Sequence, residues 1–377
     1  MSELYDIIVI GAGICGLAVA SALAPDARVL VLEREPQPGY HATGRASAVM
    51  QFNEGTAAVR ALTRASLDLL TEAGRELDGQ TLMSPRALVR LARLDQLDQL
   101  HSFFREASPQ ALCRWLDTEE VMLWIPMLRP GYGAAGVLES EVRELDVALM
   151  QSHHLARLQA HGARLCCGGE VTAMARQGDT WQVTSEAGVF RAAVVVNAAG
   201  AWAGQIGAMA SARPIGLTPR RRTSLAVAAP PGINAQSLPM VWDIDECFFI
   251  MPEKGRFKAT TGEDMPCLPC DARPPPLEIA KGMDRLTAAF DLTVDQPDAA
   301  WAGLRTFAVD ETPVCGFDPQ AAGFFWLAGQ GGTGLQTAPA LSQIAADLIL
   351  GRVRAGAGHA ALPGLPLACL APERLPV

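Results

Sequence analysis

A short β-branched run, Asp6-Ile7-Ile8-Val9-Ile10, meets Gly11-Ala12-Gly13-Ile14-Cys15-Gly16, then an aliphatic stretch over residues 14–23 and a second apolar run, Val29-Leu30-Val31-Leu32-Glu33. Continuous short runs of this kind suit strands buried on both faces, and the stretch between them reads as a tightly packed helix. Together they predict a βαβ unit at the start of the chain. The Gly-x-Gly-x-x-Gly turn gives that unit a chemistry. Gly11 allows the tight turn, Gly13 lets a pyrophosphate approach the backbone, and Gly16 lets helix and strand pack closely. The free N–H groups from Ile14 onward, with the helix dipole, then favour an anionic phosphate. Glu33, followed by Arg34, closes the second strand where a carboxylate can accept from ribose hydroxyls. The unit therefore predicts a bound dinucleotide.

Composition narrows the remaining classes. The 377 residues suit one or two interlocked domains, and 49% hydrophobic content excludes a disordered chain. A formal net charge of −9 argues against a nucleic-acid partner, because phosphate binding needs a basic face. No apolar run approaches the ~18 residues of a membrane helix. Glu3 and Asp6 lead straight into a strand, so the reading is a cytoplasmic protein without a cleaved secretory signal. Nine cysteines without regular spacing do not form a disulfide framework.

Along the chain, helical spacing is expected over residues 55–77, 95–106, 117–124, 145–160 and 333–350. Strands are expected over 82–91, 164–172, 181–184, 190–196, 300–308 and 324–328. Residues 215–260 are strand-rich and interrupted by Pro230-Pro231-Gly232, which suggests a mixed or antiparallel sheet. Five prolines in residues 266–276 predict a loop. The fold class that follows is α/β (α+β overall): a Rossmann-like FAD-binding domain with an inserted mixed-sheet substrate domain. The first is expected over 1–81, 144–214 and 305–377, the second over 82–143 and 215–304.

FAD rather than NAD is favoured by later glycine-rich turns. Residues 194–200 end a strand at Gly200, and Ala201-Trp202 opens a helix. Trp326-Leu327-Ala328-Gly329-Gln330 ends another strand, and Gly331-Gly332-Thr333-Gly334 opens the final helix. A second positive helix end suits the pyrimidine edge of an isoalloxazine, which becomes anionic on reduction, and NAD has no need of it.

Residues 6–16, Glu33-Arg34, 194–200, Trp301-Ala302-Gly303-Leu304-Arg305 and 329–336 resemble the D-amino-acid oxidase and glycine oxidase superfamily. Residues 36–45, 216–222 and 303–305 resemble, within it, the catabolic D-arginine dehydrogenases. The resemblance implies non-covalent FAD. It implies that Thr43, Gly44, Arg45, Ala46, Ser47 and Ala48 wrap its pyrophosphate and ring, and that Val171 holds the adenine through its backbone. Gly331, Gly332, Thr333, Gly334, Leu335 and Gln336 would line the pyrimidine edge, with Gly332 also facing substrate. Arg222 and Arg305 match the two arginines that grip a substrate carboxylate; a planar guanidinium suits that task because it binds a carboxylate bidentately. In the run Arg220-Arg221-Arg222, two of the three arginines are expected to be solvated.

The chain departs from the pattern at the substrate side. Leu88 stands where an acid would hold a substrate guanidinium. Val49 and Met50 replace a histidine and a tyrosine, Phe249 replaces a tyrosine on the substrate strand, and Glu54 replaces a tyrosine on a mobile loop. A cationic side chain would be left unpaired against Leu88, at a cost of several kcal/mol. The expected reaction is oxidative deamination of a D-amino acid with an apolar side chain, by hydride transfer from Cα, giving an imino acid, then a 2-oxo acid and ammonia. Glu54 keeps an amine-bearing substrate open, and oxygen and a quinone both stand as electron acceptors. The alternatives are a secondary-amine or 2-hydroxy-acid dehydrogenase on the same scaffold, and a flavoprotein subunit of an electron-transfer complex. Cys267-Leu268-Pro269-Cys270 lies in the proline-rich loop without a second pair, so neither zinc nor redox function is assigned to it, and no metal is expected.

Overall fold

The computed structural model describes residues 3–77, 79–107, 112–253, 255–292, 296–354 and 357–376. At its centre are β1 (Glu3–Ile10), α1 (Ile14–Leu23) and β2 (Val29–Leu32). β1 pairs in parallel with β2 on one side and with the strand Gly188–Asn197 on the other. Arg164–Cys166 extends the sheet beyond β2, again in parallel. The strand Gly188–Asn197 changes partners along its length. Its first half joins the antiparallel hairpin of Val171–Gln177 and Thr180–Ser185, and its second half takes Phe324–Ala328 in parallel. Ile8, Val9, Val195 and Val196 are fully buried, as their continuous apolar runs require. The carboxyl ends of β1, β2, Gly188–Asn197 and Phe324–Ala328 thus share one edge, where an open parallel sheet places its ligand.

α1 is buried almost all round, between the helices Val147–Ala160 and Gly334–Ile349. Gly16, Ala18 and Ala20 give it the slim profile this requires. Pro339 disturbs the backbone ladder of Gly334–Ile349, and the N–H of Ala340 donates to Ser66 Oγ at 3.1 Å. On the other flank His154 Nδ1 lies 2.8 Å from Ser21 Oγ of α1. Burial, helped by His153 and Arg157, pushes the His154 imidazole down to about 3. Its folded pKa thus lies below its unfolded one, so its contribution to stability is intact above about pH 6.5 and is lost as pH falls from there, by at most ~1.4 kcal/mol per pH unit. Thermal unfolding followed between about pH 7.5 and 5.5 should show Tm falling, and His154→Gln should flatten that profile.

The second sheet is built around Thr218–Ala228, which pairs antiparallel with Ala299–Phe307 over the whole length of that strand. On its other side follow Arg256–Thr260, Phe249–Glu253 and Met240–Asp243, then Leu88–Ala92 in parallel, Ala135–Glu139 and Cys113–Leu116. Ala299–Phe307 runs past the boundary expected after residue 304, and Gln330–Gly331 pairs with its end, so the two sheets meet at the last glycine turn. A ribbon of Val49–Met50, Arg143–Leu145 and Met83–Pro85 also links them.

Several expectations change. Residues 164–172 are two strands in different parts of the sheet, because Gly168 (φ +67°) turns the chain between them. The helix Pro276–Ala289 was hidden behind the prolines, yet Pro276 sits at its first turn, where a missing N–H costs nothing, and Met283 and Leu286 pack it under Leu225. The strands Cys113–Leu116, Ala135–Glu139 and Val314–Phe317 were likewise unforeseen. No helix among the described residues is long and apolar enough to cross a membrane.

Candidate active site

A cavity of about 480 Å³ runs along the shared strand edge and on to the second sheet. Its first wall is the glycine loop. Gly11 has φ +100°, and a Cβ there would lie 2.6 Å from Ala198 O; a Cβ on Gly16 would lie 1.9 Å from Gly11 O. Both positions admit only glycine. Glu33, buried at 7% exposure, holds the loop in shape: its Oε2 accepts from Ala12 N at 2.6 Å and its Oε1 from Glu35 N at 2.9 Å. Thr43 Oγ1 accepts from Ile14 N at 3.0 Å. The N-cap of α1 is Gly13, which brings no side chain of its own.

At the end of the cavity near Val171, the Arg34 guanidinium stacks 4.8 Å from the Trp202 ring, and the His41 ring lies 4.6 Å from the same ring. Along the middle, residues 45–47 are clamped by the second sheet. Arg45 Nη1 donates to Ala302 O and Ala272 O, Arg45 Nη2 pairs with Asp271, and Lys258 Nζ donates to Ala46 O at 2.6 Å. The third wall is Gly331–Gln336, with Gly331 at φ +55°. Gln336 Oε1 accepts from Gln51 N at 2.9 Å.

The far end is cationic. Arg220, Arg222 and Ser224 alternate onto the cavity face of Thr218–Ala228, and Arg305 stands opposite Arg220 in the register. Asp264 binds this group together. Its Oδ1 pairs with Arg305 and lies 3.8 Å from Arg222, and its Oδ2 pairs with Arg220 at 3.0 Å. Although burial acts to raise it, Arg305, Arg220 and Arg222 hold the Asp264 carboxyl below its ordinary value. Burial, then the charge of Arg305, pushes the Arg222 guanidinium down to about 10, which leaves it charged at neutral pH. Glu246 lies 3.6 Å from Arg222.

The cavity is built for a polar guest. Ser47 Oγ, Thr306 Oγ1, Gln330 Nε2, Gln336 Nε2 and the Nε atoms of Arg222 and Arg305 are buried without a hydrogen-bond partner, and all belong to residues on its wall. Unpaired buried polar atoms are rare enough in folded proteins that such a cluster calls for a ligand.

The family model for "FAD dependent oxidoreductase" (DAO) matches residues 6–348. The chain belongs to the DAO family of FAD-dependent oxidoreductases. The glycine oxidase of Bacillus licheniformis is 26% identical, the match covering 93% of this chain and 94% of that protein. The structure is similar to L-proline dehydrogenase from P. horikoshii, with a TM-score of 0.84 at 20% identity over 99% of this chain and 98% of that one. It is also similar to iminodiacetate oxidase from Chelativorans sp. BNC1, with a TM-score of 0.82 at 20% identity over 97% and 99%.

FAD is thus the cofactor of this DAO-family chain, and the residues present fit it. The glycine loop and Gly331–Gln336 offer backbone N–H groups at two helix starts, and the orphaned Ser47, Gln330 and Gln336 atoms belong to residues of the same wall. Removing one such orphan separates a ligand contact from a structural one. Ser47→Ala should weaken FAD binding by about 2–10-fold, the worth of one hydrogen bond, without lowering the stability of the FAD-free protein. Equilibrium FAD titration and thermal melts check the two halves.

Other sequence-derived positions are placed differently by this DAO-family fold. Leu88 is fully buried and packs with Met240, Phe249 and Met251, so it backs the wall instead of facing the cavity. Met50 is buried in the core below α1, because strand alternation sends Val49 to the cavity and Met50 to the opposite face. Gly16 packs on Gly11, Gly44 N donates to Gly39 O, and Ala48 joins the core. These three shape the loop and do not line the cavity. The arginine run is tied up in ion pairs while staying partly exposed: Arg221 pairs with the buried Glu263 at 2.6 Å, and Arg220 with Asp264 and Glu311. Glu54 lines the cavity but is held by Arg90 at 3.1 Å, and Arg90 is itself buried against Glu139.

Sequence reasoning missed Arg220, Gln51, Trp242 and Asp264 as wall residues. A period-two reading forward and back from Arg222 finds Arg220 and Ser224. Nothing in the sequence marks Asp264 or Trp242.

Proposed function

We propose that this oxidoreductase deaminates a D-amino acid with a small or apolar side chain, releasing an imino acid that water converts to a 2-oxo acid and ammonia. The observation that carries the reading is the Arg222–Arg305 pair, with unpaired buried Nε atoms, on the same cavity wall as Gly331–Gln336. Bound FAD supplies the acceptor for the hydride leaving Cα. The two guanidiniums grip the substrate carboxylate and fix the direction of the Cα–H bond, so that the chain's contribution is chiefly orientation. Asp264 holds both arginines in the absence of substrate, and its second oxygen stays on Arg220 when a substrate carboxylate takes its place. Val49, Phe249 and Trp242 supply the apolar wall against which the side chain packs and from which water is excluded. A guanidinium substrate finds Glu54, the acid closest in sequence to Val49 of that wall, already engaged with Arg90.

The test is an anaerobic titration of the flavin absorbance with both enantiomers of apolar, aromatic and basic amino acids, with proline, sarcosine, iminodiacetate and 2-hydroxy acids alongside. Bleaching by one apolar D-series supports the reading. Bleaching by the secondary amines alone, or by hydroxy acids alone, replaces it with the corresponding dehydrogenase. A flavin that none of them bleaches points to the subunit of a larger complex. Peroxide formation in air, set against reduction of an added quinone, then assigns the electron acceptor.

A further inference from the structure

We propose that Cys267 and Cys270 form an oxidisable dithiol, a modification site at which a peroxide closes a disulfide across the segment 264–272. Their Sγ atoms lie 3.7 Å apart in a thiol–thiol hydrogen bond, and both thiols are free. Cys270 is exposed and lines the cavity mouth, and the intervening Leu268 is 85% exposed, so oxidant reaches the pair and the chain between can bend. Cys15 and Cys315, by contrast, are buried.

The segment is anchored at both ends to functional residues. At its start Asp264 holds Arg220 and Arg305, Met265–Pro266 pairs with Arg220–Arg221, and Cys267 N donates to Pro219 O at 2.9 Å. At its end Asp271 and the carbonyl of Ala272 hold the Arg45 guanidinium, whose own carbonyl is fixed by Trp301. A bond between the two sulfurs shortens the link between these anchors, and so changes how Arg45 and the loop 45–47 are held.

The chemistry balances with the peroxide alone. The Cys270 thiolate attacks one peroxide oxygen, giving a sulfenic acid and releasing the other oxygen as water or alcohol. The Cys267 thiolate then attacks the Cys270 sulfur and expels water, so two electrons pass from the sulfurs to the peroxide. Burial and the bond to Cys267 raise the Cys270 pKa, so the reaction quickens as pH rises above neutrality.

The test uses the FAD-loaded protein, reduced and then treated with hydrogen peroxide. The expected result is loss of two thiols and 2 Da, mapped to the peptide spanning 267–270 and reversed by dithiothreitol. It is accompanied by a several-fold change in the rate at which FAD is released on dilution. Cys267→Ser, whose serine preserves the backbone bond to Pro219, should keep the release rate of the reduced protein and lose the response. A 267–270 peptide that stays reduced, a Cys270 oxidised without the cross-link, or a disulfide that leaves FAD release unmoved would each overturn the proposal.

Discussion

Arg305→Ala should lower kcat/KM for an amino-acid substrate by about 10²–10³-fold, because losing one partner of a desolvated, hydrogen-bonded charge pair costs ~2–5 kcal/mol and each 1.4 kcal/mol is tenfold. The substitution strands no carboxylate, because Asp264 keeps Arg220 at 3.0 Å and has Arg222 at 3.8 Å, so the loss reads on binding and not on unfolding. Arg305→Lys should recover only part of the loss, since an ammonium is a point charge and cannot match a carboxylate bidentately. The diagnostic comparison is an amine without a carboxylate. Steady-state kinetics with both substrates should show the amino acid losing most of its advantage over the simple amine. An equal loss for both would mean that Arg305 supports the cavity and does not bind the carboxylate.

Arg90→Leu should destabilise the protein by about 3–5 kcal/mol, the usual cost of breaking a buried pair and leaving its partner charged. Arg90 is 5% exposed and Glu139 1%; Arg90 Nε donates to Glu139 at 2.8 Å, and Nη2 donates to Glu54 and to Gln51. Its guanidinium also lies over the rings of Trp242 and Phe103, at 4.8 and 4.5 Å from their centroids. Burial works against its charge, but Glu139 and Glu54 outweigh burial and raise its pKa. Arg90→Leu with Glu139→Leu should restore most of the stability, because replacing both members of a buried pair with apolar groups is often nearly neutral. The same double variant should still show a raised KM, since Trp242 and the loop bearing Gln51 and Glu54 have lost their brace. Denaturant unfolding measures the first expectation and substrate kinetics the second. A double variant no more stable than Arg90→Leu would rule out the stranded charge as the cause.

The elements legible in the sequence were those with local signals. The β1–α1–β2 unit, the helix Gly334–Ile349 and the strand Phe324–Ala328 carry long apolar runs and glycine turns, and each forms where those signals place it. Among the elements that escaped were the short strands Cys113–Leu116 and Val314–Phe317 and the helix Pro276–Ala289. The two strands are only four residues long, too short to show a period, and are fixed by the strands they pair with, Ala135–Glu139 and Phe324–Ala328; the helix was masked by the prolines that lead into it.

The site divides in the same way. Glycines with close backbone neighbours and a carboxylate at a strand end are required by local geometry, so the dinucleotide loop could be read from residue order, whereas Arg222 and Arg305, on two different strands, were singled out by resemblance. Which side chains face the cavity depends on pleat and on what lies behind. Alternation separates Val49 from Met50, and the Phe249 layer separates Leu88 from the cavity. Charge partners are more remote still: Asp264 comes to the arginines, Arg90 to Glu54 and Asp271 to Arg45 only because the two sheets meet there. The sequence by itself determined the cofactor and the fold around it, since glycine φ angles and apolar periodicity act between near neighbours. The substrate wall and its ion pairs were decided by the tertiary structure, because burial and charge pairing act between residues that only folding brings together.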